Sequence, residues 1–301
     1  MLSRIFAVVV AYRPDPNKFQ ANIESLLKQV ERVVIVHNGH KWDWAFVPHY
    51  NSSNIIFIHN GANLGVAAAL NIGINIAKNS GADFVLLMDQ DSYPVGDMVE
   101  TLNRSLCTRV MHGDNVAAIG PILQDSQNAS ISRVSQARPL CGKHAGLVAG
   151  QDVVPTDFLI SSGSLIPIRV LSEIGEMDET LFIDHVDTEW GLRARARGYV
   201  LLQSCRALME HSLGERRLRV RLIRTRNVPL HKPFRYYYMV RNSIILYKRG
   251  YICRGWKRFD LVRLAQIVLF MTVFHDMRFQ VLRFMGKGFW DGLRNKDGPM
   301  K

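Results

Sequence analysis

Short apolar runs alternate with segments of helical apolar spacing over the first 120 residues, and this pattern limits the fold more than any other feature. The runs predict strands, and the periodic segments predict helices. In chain order we expect strands at 5–11, 33–36, 55–58, 84–88 and 116–119, and helices at 16–30, 64–78 and 95–110. Strands that alternate with helices favour a parallel sheet covered on both faces, so the predicted class is α/β.

The rest of the chain follows a different pattern. Residues 121–157 are polar and predict loops with short antiparallel strands, whereas 184–197 predict a charged helix and 199–202 a strand. From Pro233 onward the pattern is helical, basic and aromatic. We therefore expect the α/β part to be followed by a helical C-terminal region.

Two carboxylates, Asp89 and Asp91, follow the apolar run that ends at Met88. Burying them unpaired would be very costly, so they are expected at the rim of the sheet, where a divalent cation can pair them. Ligands of open α/β sheets bind at this end of the strands. The alternative is an ordinary turn with two solvated aspartates.

A run of small residues follows Asn63 and Gly65 and continues past Asn71. Asn63 suits a helix N-cap, and the free amide groups of a helix N-terminus favour anions. The run matches neither a GxGxxG fingerprint nor a Walker motif. The alternative is tight packing of this helix on the sheet.

Three carboxylates lie within the six residues 184–189, at the start of a predicted helix. The helix dipole stabilises an ionised carboxylate there, as a general base requires, so Asp187 and Glu189 are both candidates for one pocket. In the alternative interpretation, Glu189 and its neighbours form ordinary ion pairs with Arg193, Arg195 and Arg197.

His211 follows a predicted strand and is a candidate third metal ligand, although an isolated histidine is more often structural or solvated. The segment 235–242 combines Arg235 and Arg241 with three tyrosines. Arginine fits phosphate geometry, so both are candidate diphosphate ligands. The alternative is that the tyrosines are core residues.

Taken in order, these motifs resemble the family-2 glycosyltransferases of the GT-A fold. They comprise Tyr-x-Pro after the first strand, His37-Asn38-Gly39, the Asn-x-Gly helix, Asp-Gln-Asp, the Gly163 loop, Asp-x-Glu-Trp with Arg193, the histidine, and Arg-x-Tyr-Tyr with Arg-Asn. The wording of 88–92 and 182–190 is most similar to bacterial rhamnosyltransferases of O-antigen and other surface polysaccharides. The resemblance covers about residues 4 to 245.

The resemblance implies a Rossmann-like GT-A sheet and an inverting, metal-dependent transfer from a nucleoside-diphosphate sugar, with dTDP-L-rhamnose expected. It implies Mg²⁺ or Mn²⁺ on Asp91, with Asp89 and His211 beside it, and Asp187 as the base. The donor residues it implies are Ala11, Tyr12, Arg13, Asn38, Asn63, Gly65, Asn71 and Asp89. The residues expected on the acceptor side are Gly163, Glu189 and Trp190.

Two positions depart from the family pattern. His37 and His40 stand where Asp and Ser are usual, so the contact to the nucleobase of the donor is altered. Val186 replaces the Glu that usually precedes the general base.

Two other functions remain open at this point. One is a haloacid-dehalogenase-type phosphatase, whose Asp-x-Asp also ends a buried strand, and the other is a non-catalytic polysaccharide-assembly subunit at the membrane surface.

We expect a catalytic domain at 1–230, with a nucleotide-sugar half at 1–120 and an acceptor half at 121–230, and a basic amphipathic helical region at 231–301. Charge supports the last division, because residues 1–192 carry a net −7 and residues 193–301 a net +19. Such a basic region predicts an anionic partner. We expect an anionic membrane surface and a polyprenyl-pyrophosphate-linked glycan acceptor rather than nucleic acid.

The chain is expected at the cytoplasmic face of the bacterial inner membrane, as a peripheral protein. The apolar run 264–274 has 11 residues and includes Gln266 and Thr272, whereas a span needs about 20. The alternative is that these apolar residues pack on the catalytic domain or on a second subunit of a homo-oligomer.

Four cysteines without a CxxC pair argue against a zinc site or a disulfide framework and favour a reducing compartment.

Overall fold

The computed structural model describes residues 3–40, 53–125, 140–141, 152–211, 216–221 and 225–300, with the side chains of 125 and 211–229 outside the description. Much of the expected polar loop region at 121–157, and the side chain of His211, therefore lie outside the described residues.

The described chain contains eleven strands and eight helices. The strands are β1 Ile5–Ala11, β2 Arg32–His37, β3 Ile55–His59, β4 Phe84–Asp89, β5 Ser92–Val95, β6 Val116–Asp125, β7 Val153–Thr156, β8 Ser164–Pro167, β9 Val200–His211, β10 Arg216–Arg221 and β11 Thr225–Leu230. The helices are α1 Pro16–Leu27, α2 Val66–Asn79, α3 Met98–Met111, α4 Ile168–Ile174, α5 Val186–Ala196, α6 Pro233–Lys248, α7 Arg254–Phe274 and α8 Arg278–Leu293.

Nine strands form one sheet, along which eight are ordered β3-β2-β1-β4-β8-β6-β9-β5 while β7 pairs with β9. The four strands β3, β2, β1 and β4 are parallel, so their carboxyl ends meet at one edge. Beyond β4 the sheet becomes mixed, since β8 is antiparallel to both of its neighbours. The predicted α/β class with helices on the sheet is confirmed.

Alternation of side chains along β1 divides the core into two layers. Phe6 and Val8 pack on one face with α2, α4 and α5, while Ala7 and Val9 pack on the other with α1 and α3. A sheet buried on both faces explains why its central strands are continuous apolar runs.

Three strand predictions were incomplete. Residues 92–95 form β5 before α3 begins, and β6 continues through Gly120 and Pro121 to Asp125. Register shifts between β6 and β9 accommodate this irregular stretch, and β9 itself runs to His211 rather than ending near 202. β5 is a strand because it pairs antiparallel with β9, and a pairing with a distant segment leaves no signal in the local periodicity.

The helices α6 and α8 approach each other very closely. A Cβ atom at Gly288 would lie 2.4 Å from the carbonyl oxygen of Tyr237, and one at Gly292 would lie 2.9 Å from that of Arg241. The phenol of Tyr237 donates to Asp291 at 3.0 Å. In the described residues, no helix combines the length and hydropathy needed to cross a bilayer.

A disulfide joins Cys141 to Cys253, with 5.5 Å between their Cα atoms. The expectation that the cysteines would not pair is therefore wrong for these two, while Cys107 and Cys205 are free thiols. Since 112 residues separate the partners, nothing in the local sequence signals the pairing. Cys253 also caps α7, because its sulfur accepts from the amide of Trp256 at 3.3 Å.

Candidate active site

The carboxyl ends of β1, β2 and β4 bring several predicted donor residues together. In the strand register Val10 lies opposite Asp89, and Ala11 lies opposite His37. The side chain of Gln90 fastens the end of β1, because its Oε1 accepts from the Tyr12 amide at 2.7 Å and its Nε2 donates to the Tyr12 carbonyl at 3.3 Å. The amide pairing therefore gives the middle residue of Asp-Gln-Asp a structural role that the sequence did not indicate.

Tyr12 and Arg13 lie at the surface of this edge. Tyr12 is 43% exposed, and the Arg13 guanidinium lies 5.5 Å from its ring centroid. Arg13 has a φ of +49°, in the left-handed region that side chains rarely adopt. These two exposed residues offer a ring face and a cation to a ligand at the end of the strands.

Asn38 is buried, and its amide organises the loop that leads to α2. Its Oδ1 accepts from the amide of Leu64 at 2.9 Å, and its Nδ2 donates to the carbonyl of Gly65 at 3.0 Å and to Asn63 at 3.2 Å. These contacts use the side chain within the protein, so Asn38 fixes this loop. The loop borders the edge formed by the carboxyl ends of β1, β2 and β4, which we call the donor edge after the donor residues predicted there.

His37 and His59 form a pair at the neighbouring ends of β2 and β3. Their Nδ1 atoms are 2.7 Å apart, and their rings stack with centroids 4.8 Å apart. Burial, and then the charge of His59, lowers the pKa of His37, which favours its neutral form. The departure from the family's usual aspartate thus places a paired neutral imidazole at this position.

The N-terminus of α2 differs from the sequence prediction. Gly65, with a φ of +87°, is the N-cap residue, and the amides of Val66 and Ala67 donate to the carbonyl of Phe182 at 2.7 and 3.4 Å. Asn63 as N-cap was therefore wrong, and these two amides are already occupied. A Cβ atom on Gly65 would lie 2.5 Å from the Phe182 ring, so the close approach requires glycine.

Asn71 and Gly73 support the alternative of tight packing for α2. The Asn71 amide donates to the carbonyl of Met177 and to Glu179, both at 2.9 Å, so it holds the segment before α5. A Cβ atom on Gly73 would lie 2.3 Å from Val8 of β1. The small residues therefore let the helix lie close to the sheet.

Asp89 and Asp91 lie partly exposed just past the buried part of β4. The main chain of Asp89 is fixed on both sides, since Asn22 donates to its carbonyl at 2.7 Å and its amide donates to Ser162 Oγ at 3.1 Å. In register, Ser92 lies opposite His211, so His211 is placed beside Asp91 along the paired strands.

This donor set fits a hard divalent cation, which takes carboxylate oxygens and completes its shell with phosphate and water. Among the side chains that the structure describes, no group of three or more histidine, cysteine or acidic residues gathers at one point. A cation held by Asp89 and Asp91 would take further ligands from a bound diphosphate, from water, or from His211, the predicted third ligand.

The loop that leads into α5 is strained. Phe182, Asp184 and His185 have φ values of 65°, 63° and 63°. Non-glycine residues in this region cost free energy and persist only where the surroundings hold them. Several such residues in succession identify a segment whose shape is imposed by its contacts.

Asn242, on α6, imposes that shape. It is fully buried, and its Nδ2 lies 3.0, 2.8 and 2.8 Å from the carbonyl oxygens of Leu181, Ile183 and Asp184. Ser243 adds a contact of 3.0 Å to Nε2 of His185. The Arg-Asn motif indicates no role for Asn242 by itself. The sequence signal of that role is an asparagine next to a predicted buried helix face.

Asp187 lies in the first turn of α5. Its Oδ1 accepts from the Thr188 amide at 2.7 Å, and its Oδ2 accepts from the Ser161 amide at 3.3 Å. Burial raises the pKa of the Asp187 carboxyl, and the nearby Asp184 acts in the same direction, although these hydrogen bonds oppose the rise. A carboxylate with a raised pKa is a better proton acceptor.

The turn before β8 connects Asp187 to the Asp89 strand. Ser161 donates its amide to Asp187, while Ser162 accepts from the Asp89 amide through its hydroxyl. Gly163, with a φ of +83°, donates to the carbonyl of Leu87 at 2.8 Å. The predicted Gly163 loop therefore holds the two carboxylate centres in a fixed relation, with Gly163 as its conformational pivot.

Glu189 and Trp190 point into the protein. Glu189 is 1% exposed and binds Arg193 through two hydrogen bonds of 2.9 and 3.0 Å. Arg249 also pairs with it at 3.3 Å, and the hydroxyl of Tyr251 donates to its Oε1. The indole of Trp190 donates to the carbonyl of Gly175 at 2.9 Å. These contacts match the ion-pair alternative, with both residues supporting α5 from behind.

The two candidate diphosphate arginines also have protein partners. Arg235 forms an ion pair with Asp184 at 2.5 Å. Arg241 is fully buried and donates to the carbonyls of Leu181, at 2.9 Å, and of Thr180 and Gly298. The guanidinium of Arg241 therefore holds the loop before α5, on the same side as Asn242.

Comparison with solved structures defines the class of fold. The chain is similar to GalNAc-T7, solved with UDP, GalNAc and Mn²⁺, with a TM-score of 0.56 and 13% identity over 92% of this chain and 58% of that one. It is also similar to residues 1–349 of S. aureus TarS in complex with UDP-GlcNAc, with a TM-score of 0.56 and 15% identity over 97% of this chain and 81% of that one. This is the GT-A fold.

Sequence comparison defines the family. Residues 7–145 match the model of glycosyl transferase family 2. Over 262 residues the chain is 32% identical to the dTDP-rhamnosyl transferase RfbF of Shigella flexneri, covering 84% of this chain and 82% of the relative. The chain belongs to glycosyl transferase family 2 and is a glycosyltransferase, so the phosphatase alternative is wrong.

Proposed function

We propose that the protein is an inverting rhamnosyltransferase that uses dTDP-L-rhamnose as donor. The observation that carries the proposal is the turn at Ser161 and Ser162, which hydrogen-bonds both the Asp187 carboxylate and the Asp89 strand end. The strand end that carries the predicted metal ligands and the predicted proton acceptor are thereby both attached to one short segment. The choice of rhamnose is supported by the name of the Shigella flexneri relative.

In this proposal Asp187 removes the proton from an acceptor hydroxyl as that oxygen attacks the anomeric carbon. The bond from that carbon to the nucleoside diphosphate breaks as the new glycosidic bond forms, and the single displacement inverts the centre, as in inverting glycoside chemistry. A divalent cation on Asp89 and Asp91 would supply charge neutralisation of the leaving diphosphate. Tyr12 and Arg13 would contact the donor base, with Asn38 fixing the adjoining loop.

Two variants and a donor panel test the proposal. We expect dTDP-L-rhamnose with Mn²⁺ to raise the melting temperature more than UDP-sugars do, because a ligand of the native state stabilises it. Asp187→Asn should lower turnover by about 10²–10⁴-fold with donor affinity kept. Asp91→Ala should abolish metal-dependent donor binding, and full activity of that variant in EDTA would contradict the metal assignment.

The proposed acceptor is a polyprenyl-pyrophosphate-linked glycan at an anionic membrane surface. Supporting this, α7 and α8 keep large apolar side chains exposed, namely Phe259, Leu261, Val262, Val268, Leu269, Val273, Phe274, Phe279, Phe289, Trp290 and Leu293. Exposed cations accompany them at Arg254, Arg258, Arg278 and Arg283. Apolar bulk with cations is the composition of helices that lie in a membrane interface.

Two basic residues of the C-terminal region have protein partners instead. Arg263 donates to Asp260 at 2.7 Å, and Lys257 donates to the carbonyl of Arg249 at 3.2 Å. A vesicle test should therefore change only the four exposed arginines to Gln. Wild type should sediment with vesicles containing phosphatidylglycerol, since each basic residue near the anionic surface contributes about 1 kcal/mol to binding. This binding should weaken as the salt concentration rises. Unchanged sedimentation of the fourfold variant would refute the electrostatic contribution.

A further inference from the structure

A cavity of about 220 Å³ lies beside the Asp187 segment, between the start of α5 and the helices α6 and α7. Its walls include Thr188 of α5, Trp256 and Phe259 of α7, and Phe158. Thr188 is the neighbour of Asp187 and donates to the same carboxylate oxygen from its amide and, at 3.3 Å, from its hydroxyl. Thr188 rather than Asp187 lines the cavity, so a molecule there lies one residue away from the proposed base.

The lining combines flat aromatic surfaces with hydrogen-bonding groups. Phe259 is 46% exposed and offers its ring face to a ligand, whereas Trp256 is 2% exposed, packs on His185 and Tyr247, and borders the cavity from the protein side. Asp184 and Asp260 supply carboxylate oxygens. Aromatic faces pack against the C–H groups of a sugar ring while a few fixed polar groups bind its hydroxyls, so the combination suits a sugar.

The charges of the lining are balanced. Asp184 pairs with Arg235 at 2.5 Å, and Asp260 pairs with Arg263 at 2.7 Å. His185 also lines the cavity, and burial lowers its pKa, which favours the neutral ring. Arg263 and both carboxylates line the cavity, but each is already in an ion pair. A charged ligand would therefore lose its hydration without gaining an unpaired counter-charge, so a neutral ligand is favoured over a phosphate.

The size restricts the ligand further. Pockets for drug-sized ligands measure roughly 300–1,000 Å³, so this one suits a single small ring with the rest of the molecule outside. Phe259 at the opening belongs to α7, the helix whose exposed face we propose to lie at the membrane. A glycan attached to a membrane lipid would approach from that side.

We infer that this cavity is the acceptor subsite, and that it holds one neutral monosaccharide ring with its apolar face against Phe259. The inference rests on the proposed glycosyl transfer and specifies its acceptor as a sugar hydroxyl presented by a ring seated here. Phe259 would then set acceptor affinity without taking part in donor binding.

Three substitutions at exposed positions test the subsite. Phe259→Leu keeps apolar bulk but removes the flat ring, Phe259→Trp keeps a flat ring, and Phe279→Leu makes the same change on α8, where the side chain is 79% exposed. The acceptors are water-soluble nitrophenyl monosaccharides, so that membrane contact does not contribute. The kinetics of transfer are compared with the hydrolysis of the donor in the absence of acceptor.

Phe259→Leu should raise the acceptor KM about three- to tenfold with kcat, donor KM and donor hydrolysis unchanged. Phe259→Trp should restore the wild-type KM, and Phe279→Leu should leave it unaltered. An unchanged acceptor KM in Phe259→Leu, or an equal rise in Phe279→Leu, would overturn the subsite while leaving the transferase intact. If wild type neither hydrolyses nor transfers any of the nucleotide sugars tested, the proposed function itself fails, and the subsite falls with it.

Discussion

Asn242→Ala should loosen the strained loop that carries Asp187. The substitution removes the amide hydrogens shared by the carbonyls of Leu181, Ile183 and Asp184. Within the described residues only the Leu181 carbonyl keeps other donors, the guanidinium of Arg241 and the amide of Ile183. A buried acceptor left without a donor costs about 1–3 kcal/mol. With two carbonyls affected, we expect the free energy of unfolding to fall by about 2–6 kcal/mol.

The effect on catalysis should be specific. A displacement of the base by about 1 Å can cost up to about 10²-fold, so kcat for transfer should fall while the dissociation constant of the donor stays near the wild-type value. Hydrogen exchange measured by mass spectrometry should show faster exchange of the amides at 181–189. The donor edge at β1 and β4 lacks contacts with Asn242 in the described residues and should keep its protection.

Asn75→Ala is the matched control, because Asn75 is exposed on α2 and makes a single 3.2 Å contact with Glu176. Chemical denaturation of both variants, followed by fluorescence, gives the difference in stability. If Asn242→Ala is no less stable than Asn75→Ala and exchange at 181–189 is unchanged, the argument that Asn242 holds the loop is refuted.

Three further predictions concern Asp187, the α6–α8 contact and the disulfide. Since burial raises the pKa of Asp187, the rate of transfer should fall as pH drops through a value above the usual 3.9 or so, and a pH–rate profile without an acidic limb would contradict its role as base. Gly288→Ala should destabilise the protein by about 1–3 kcal/mol, because its Cβ atom would meet the Tyr237 carbonyl. Gly286→Ala is the control, because a Cβ atom there would have no neighbour within 4 Å, and it should not be destabilised in thermal unfolding. Reduction of Cys141–Cys253 should lower stability by about 2–4 kcal/mol, and equal melting temperatures with and without dithiothreitol would show that the cross-link contributes nothing.

The half of the sheet that carries the donor edge was predictable because its signals are local. The run Ile5–Ala11 coincides with β1, and the helix start at Pro16 follows the Asp15 cap. Parallel strands buried on both faces must be continuously apolar, so a short window of sequence contains the whole signal. The position of Asp89 and Asp91 at the strand end followed from the same reasoning.

The features that the sequence did not reveal depend on partners far along the chain. The N-terminus of α2 is capped by the carbonyl of Phe182, and Cys141 pairs with Cys253. Asn63 has the composition of a cap, but the tertiary contact places the cap at Gly65 instead. Local propensity indicates which residues could cap a helix. Which carbonyl accepts from the first amides of the helix is decided by the packing of distant segments.

The C-terminal helices are part of the candidate site rather than an appendage to it. Arg241 joins the carbonyls of Thr180 and Leu181 to that of Gly298, and the amide of Gly298 donates back to Thr180 at 3.0 Å. Residues after α8 therefore close the same network that shapes the loop before Asp187. If α7 and α8 bind a membrane as proposed, the contact would act on α6, against which α8 packs closely, so we expect lipid binding and the orientation of Asp187 to be coupled through Arg241.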